Sequence, residues 1–187
     1  MADQKVLVIC GSLRKASFNA ALARALPALA PEGMKLITAP TIGTIPLYNA
    51  DVQEAGFPGP VEEIAAAIRA ADGVLFVTPE YNWSMPGVLK NAIDWLSRLK
   101  EQPFKDKPVA IQSASQGPLG GARMQYHWRM SMTFVAAFIF GTPEVFVGSA
   151  QNKFAKGTLE LTDQPTKDAI KAQLAAFSKF IERVKPH

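Results

Sequence analysis

Three short stretches of this 187-residue chain carry the side chains that could do chemistry. The first is "CGSLRKASFN", Cys10 to Asn19. It offers hydrogen-bond donors at Ser12, Ser17 and Asn19 and a permanent charge at Arg14, and it runs into helical spacing. The free N–H groups and positive dipole end of a helix start make such a stretch an anion site. It holds one glycine, so it is neither GxxxxGK[ST] nor GxGxxG. Without the Lys-Ser/Thr pair, a triphosphate with its magnesium fits poorly and a terminal phosphomonoester fits better. Ser17 or Asn19 also suits a plain helix cap, and the residues alone leave both readings open.

The second stretch is "TPEYNWSMPG", Thr78 to Gly87. Pro79 stiffens it, Tyr81 and Trp83 supply flat apolar faces, and Glu80 and Asn82 supply hydrogen-bonding groups. A planar heteroaromatic ligand needs that mix of stacking surface and edge contacts. The third is "SQGPLGGAR", with Ser115, Gln116, Gly117, Gly120 and Gly121. Its glycines would let backbone approach a flat ligand closely. Each stretch has a plainer alternative: a turn whose aromatics pack into a core or interface, and a flexible turn after a strand. One phosphorylated flat ligand accounts for all three together.

Other constellations are poor. The two histidines are His187 at the terminus and His127 inside a helical stretch. No Cys/His cluster suggests zinc, and no GxSxG elbow offers a nucleophile. Cys10 is the one cysteine, so no intrachain disulfide forms. Its apolar flank reads as a buried structural thiol. With no acid–base pair in view, any enzyme built on this chain would leave its chemistry to a cofactor. The 20 Lys and Arg, for a net charge of +4, are scattered without blocks. That favours anionic small molecules over nucleic acid. "MADQKVLVIC" is too short and polar for a signal peptide, and no run approaches the ~20 apolar residues of a membrane helix. The expectation is a cytoplasmic protein.

The elements that must position these stretches follow from periodicity. "KVLVIC" (5–10) reads as a strand buried on both faces; "MKLITA" (34–39), the uniformly apolar and therefore central "GVLFVT" (73–78), "PVAIQSA" (108–114) and "EVFVG" (144–148) read as the other strands. Between them, Leu22, Ala25, Leu26 and Leu29 recur at helical spacing. So do Val61, Ile64, Ala65 and Ile68, and then Leu89, Ala92, Ile93 and Leu96. A further helix is expected from about Gly121 to Phe138, and a last one carrying Ile170, Leu174, Phe177, Ile181 and Val184. Residues 40–59 read as a long irregular connection. This strand–helix alternation predicts an α/β fold: a flavodoxin-like, doubly wound, five-stranded parallel sheet in the order 2-1-3-4-5, with helices on both faces. Residues 1–187 are expected to form a single such domain. The three stretches follow strands 1, 3 and 4, so they share one rim, where ligands of such sheets bind.

Taken together, "GSLRKASFN", "TPEYNWSMPGVLKNAIDWLSR" and "SQGPLGGARMQ" resemble the NADPH-dependent FMN reductase family, nearest its bacterial quinone and chromate reductase branch. The likeness covers nearly the whole chain. It implies a tightly bound FMN, with Ser12, Arg14, Ser17, Phe18 and Asn19 around the phosphate. Pro79, Glu80, Tyr81, Asn82 and Trp83 would line the isoalloxazine, and Ser115 and Gly117 would close its far edge. It further implies NAD(P)H as cosubstrate and ping-pong transfer through the flavin to quinones, with azo compounds, free flavin or chromate as further acceptors. Trp83, where relatives often carry Tyr or Gly, and Gln116 depart from the common pattern, and both would face the substrate space. The resemblance also implies a homodimer or homotetramer. Trp83, Met85, Trp95, Met124, Trp128, Met130 and Met132 suit an interface or, equally, a core. The rival reading is a flavodoxin-type electron-transfer protein serving protein partners. A pI near 9.2 speaks against it, since that role usually goes with an acidic surface.

Overall fold

Val6 and Val8 face one side of the central sheet and Leu7 and Ile9 the other, and both sets are buried. That two-sided burial is what a near-continuous apolar run dictates in a parallel sheet. The computed structural model describes residues 3–185. Its strands are β1 (Gln4–Cys10), β2 (Met34–Thr38), β3 (Gly73–Val77), β4 (Pro108–Ala114), β5 (Phe138–Ile139) and β6 (Val145–Val147). They pair in parallel in the order β2-β1-β3-β4-β5, with β6 also on β4. The helices are α1 (Phe18–Ala25), α2 (Ala50–Glu54), α3 (Gly59–Ala70), α4 (Gly87–Leu96), α5 (Ala122–Phe134) and α6 (Gln164–Val184).

α1 and α6 cover one face, packing Leu22, Leu174 and Phe177 on Val6, Val8, Leu75 and Val77. α3, α4 and α5 cover the other, packing Ile64, Ile68, Trp95 and Trp128 on Leu7, Ile9, Val74 and Phe76. Each fully buried Leu, Ile or Phe contributes roughly 1.5–3 kcal/mol. This is the expected doubly wound layering, and its switch point lies between β1 and β3.

Two details depart from expectation. The sheet edge beside β4 has two pieces: the expected strand at 144–148 is β6, beside Gln112 to Ala114, and an unexpected short strand, β5, lies beside Pro108 and Val109. Pro143 cannot donate to a ladder, so the chain leaves the sheet between them. Gln173 of α6 fills the gap, its Nε2 donating to Ile111 O (3.3 Å) and Pro143 O (2.9 Å) and its Oε1 accepting from Gln112 Nε2 (2.9 Å). The helix expected to reach Phe138 ends at Phe134. There Ala136 takes φ +53°, and the N–H groups of Ala136 and Ala137 bond back to Thr133 O and Met132 O. That is a Schellman ending with alanine where glycine is usual.

The connection 40–59 is less irregular than its composition suggests. It carries a 3-10 turn at Ile42–Thr44 and the short α2. Asn91 of α4 holds it, accepting from Tyr48 N (2.8 Å) and donating to Pro46 O (2.9 Å), and Trp95 Nε1 donates to Pro46 O as well (2.8 Å). Of the Met/Trp set, Trp95, Met124, Trp128 and Met132 are core residues, while Trp83 and Met130 are exposed.

Candidate functional site

The three stretches emerge together at the carboxyl ends of β1, β3 and β4. Gly11 makes the first junction possible: an added Cβ would lie 2.1 Å from Thr78 Oγ1. Its N–H donates to Val77 O (2.9 Å), tying the two strand exits together. Beyond it, Ser12 is half-buried, and Leu13, Arg14, Lys15 and Ala16 are exposed. Leu13 leans on the next loop, where a Cβ on Gly43 would meet its Cδ2 at 2.7 Å.

Ser17 is the N-cap of α1, its Oγ accepting from Asn19 N (3.1 Å) and Ala20 N (3.4 Å). Lys15 and Ala16 form a turn, and none of the backbone N–H groups from Ser12 through Phe18 makes a hydrogen bond of ordinary geometry inside the described chain. A run of donors left free at a helix start, with Arg14 beside it, can serve as an anion cradle. Two residues expected around a phosphate have other surroundings. Phe18 packs on Phe154, ring centroids 5.3 Å apart. Asn19 is buried, and both ends of its carboxamide are bonded to Ala114. Burial pushes the Cys10 thiol above its ordinary pKa, which keeps it protonated and a poor nucleophile.

The second stretch forms a tight turn. Tyr81 and Ser84 exchange both backbone bonds, at 2.9 and 3.0 Å, while Asn82 (φ +50°) and Trp83 (φ +64°) take left-handed backbone. Asn tolerates this, but for Trp it costs on the order of 1–3 kcal/mol and is the strain that collects at ligand sites. Pro79 is buried at the turn's base, and Tyr81 and Trp83 stand out from it, 50% and 66% exposed.

Contacts to α5 hold the turn there. Glu80 Oε2 accepts from Met124 N (3.1 Å) at the helix start, a favourable place for a carboxylate. Arg123 sits 4.3 Å from the Trp83 ring centre and 3.4 Å from Glu80 Oε1. His127 Nδ1 lies 3.1 Å from Ser84 Oγ. Glu80 is therefore a helix cap as well as a rim residue. His127 has a clasping role that its isolation in sequence did not suggest; only its place one turn after Arg123 hinted at it. His187 lies outside the described residues.

In the third stretch the glycines have different tasks. Gly120 (φ +60°) and Gly121 (φ +90°) fit the chain's own packing: added Cβ atoms would lie 2.7 Å from Gly148 N and 2.8 Å from Ser113 Oγ. At Gly117 a Cβ would meet nothing nearer than Ser115 Oγ at 3.8 Å. Ser115 Oγ donates to Gly117 O (3.1 Å), curling the loop beside the cradle. Among the described residues no group of His, Cys, Asp and Glu is arranged to hold a metal, and no helix is long and apolar enough to cross a membrane.

The profile of the NADPH-dependent FMN reductase family matches residues 4–152. The chain belongs to that family. Membership agrees with relatives over nearly full length. A quinone reductase of Escherichia coli is 54% identical over 182 residues, 97% of each chain. An NAD(P)H-dependent FMN reductase of Pseudomonas aeruginosa is 50% identical over 184 residues, 98% of each. A solved structure of the flavoenzyme NAD(P)H:(acceptor) oxidoreductase from Paracoccus denitrificans superposes with a TM-score of 0.86 at 34% identity, over 96% of this chain and 98% of that one. The family's cofactor fits the residues present. A phosphomonoester needs unpaired donors without a metal, which the Ser12–Phe18 backbone provides. A flat ring needs exposed aromatic faces and an open backbone, which Tyr81, Trp83 and Gly117 provide.

Proposed function

We propose that this chain is an FMN-containing oxidoreductase that takes hydride from NAD(P)H and reduces quinones. The observation that carries the reading is the unpaired run of N–H groups from Ser12 to Phe18, set beside a strained, exposed aromatic turn on the same rim. Quinone as acceptor class rests on the naming of relatives at 54% identity over 97% of the chain. The chemistry bound FMN supplies is transfer of hydride from NAD(P)H and onward reduction of the acceptor.

The chain's residues bind and orient. The backbone from Ser12 to Phe18, with Ser12, Ser17 and Arg14, holds the phosphate. Pro79 to Trp83 support the ring, and Ser115 and Gly117 bound its edge. Phe18 and Asn19 belong to the site as framework around the cradle. Arg123, with Arg14 and Lys15, draws anionic nucleotides to the rim. The clasp by Glu80, Arg123 and His127 keeps the strained turn in place, so the stacking faces are preorganised rather than ordered on binding. Residues 1–187 act as one flavin-binding domain, since one sheet carries all three stretches. A cytoplasmic setting goes with a reaction that consumes reduced nicotinamide nucleotide.

A second copy of the chain completes the assembly, as homodimer or homotetramer. Tyr126, Met130 and Phe134 form an exposed stripe at i, i+4 and i+8 along α5, 54%, 72% and 80% exposed. The decisive experiment loads the purified protein with FMN and titrates it anaerobically with NADPH and NADH. The bound flavin bleaches stoichiometrically, and added benzoquinone restores the colour. A protein that takes up no FMN, or whose flavin is reduced only through a separate reductase protein, overturns the reading.

A further inference from the structure

β3 and β4 run side by side until Thr78, whose N–H donates to Gln112 O (3.1 Å). Pro79 then carries the chain away, and β4 continues without β3 as a partner on that side. The Asn19 carboxamide occupies the next rung. Its Nδ2 donates to Ala114 O and its Oδ1 accepts from Ala114 N, both at 2.9 Å, and the residue is 3% exposed. One side chain thus replaces the two bonds a neighbouring strand would make. On its other side β4 stays paired with β6, Ala114 standing opposite Val147.

This rung joins the two ends of the candidate site. Asn19 is the second residue of α1, immediately after the unpaired N–H run. Ala114 immediately precedes Ser115, where the ring-edge loop begins. We propose that Asn19 is a positioning residue: it makes no contact with the phosphate, but fixes the cradle relative to the Ser115–Gly117 loop so that one ligand meets both. The inference rests on the FMN reading. A ligand anchored at two places gains from both only when their separation is fixed, because the second contact then forms without further ordering.

The test is a double-mutant cycle on the intact chain. FMN affinity is measured by flavin fluorescence for Asn19→Ala, Ser115→Ala and the double variant. Visible circular dichroism is recorded at flavin saturation. Asn19→Ser, which keeps a small polar group in the buried position, runs in parallel, and far-ultraviolet dichroism confirms the fold of each protein used. Asn19→Ala is expected to weaken FMN about tenfold or more. The dichroism of its saturated flavin should change, and the double variant should bind nearly as well as Asn19→Ala alone, because the two losses share one geometry. Additive losses with an unaltered saturated spectrum would mean that Asn19 acts locally at the phosphate, and the proposal falls. Unchanged affinity in Asn19→Ala and Asn19→Ser also overturns it. Failure of the unmutated protein to bind FMN is a different result and sinks the underlying reading instead.

Discussion

At the scale of single residues, Ser17 tests the cradle most directly. Its Oγ caps α1 by accepting from Asn19 N and Ala20 N. Aspartate caps helices about as well as serine, so Ser17→Asp should keep α1 capped and the apo-protein folded, with some stability lost because the position is buried. It also places a negative charge among the donors meant for a phosphate. FMN affinity should therefore fall at least tenfold, about 1.4 kcal/mol. Calorimetry and fluorescence titration read the two effects separately, and unchanged affinity would remove the loop from the phosphate site. Residue types in this loop were legible in sequence because helix caps and anion sites use the same chemistry. Which donors are free was not. Asn19 reads like Ser17 along the chain, yet its partner Ala114 is 95 positions away. A contact at that distance leaves no local signal.

At the scale of elements, chain punctuation explains what the sequence disclosed. Strands bounded by Gly11, Gly73 or Pro79 and helices with apolar i, i+3, i+4 spacing stand where they were expected. The end of α5 did not, because its stop signal is conformational rather than chemical. Ala136 holds φ +53°, a conformation that costs an alanine roughly 1–2 kcal/mol. Ala136→Gly removes that strain, while glycine's greater freedom in the unfolded chain offsets part of the gain. The net expectation is about 0.5–1 kcal/mol of added stability by urea or thermal unfolding, with NAD(P)H-linked flavin reduction unaffected. A destabilised variant would show that the Schellman ending is not what terminates the helix. The split edge strand was hidden for a related reason. Gln173, which bridges the two pieces, comes from α6, far along the chain from either.

At the scale of the whole molecule, topology gathers the site. β1 connects outward to β2 on one side while β3 and β4 extend on the other, so the exits of β1, β3 and β4 are neighbours although their loops are spread across the chain. The loops could be placed on one rim from strand order alone, and family membership accords with that placement. The outer surface was harder to read. Tryptophan and methionine near α4 and α5 suited core and interface equally. Burial divides them: Trp95 and Trp128 are enclosed, whereas Met130 and Phe134 stand exposed on α5. Tyr126 meets Glu144 and Phe146 with part of its ring, but it, Met130 and Phe134 still present an exposed apolar stripe along the helix. If a second copy covers it, charge at its centre must break the assembly without disturbing the core, since Met130 and Phe134 lie outside both core clusters. The double variant Met130→Glu, Phe134→Lys should shift the light-scattering mass from a multiple of 20.2 kDa to that of one chain. Far-ultraviolet dichroism should stay the same. A wild-type mass already equal to one chain at micromolar concentration, or a variant that assembles as before, would refute this face as the interface.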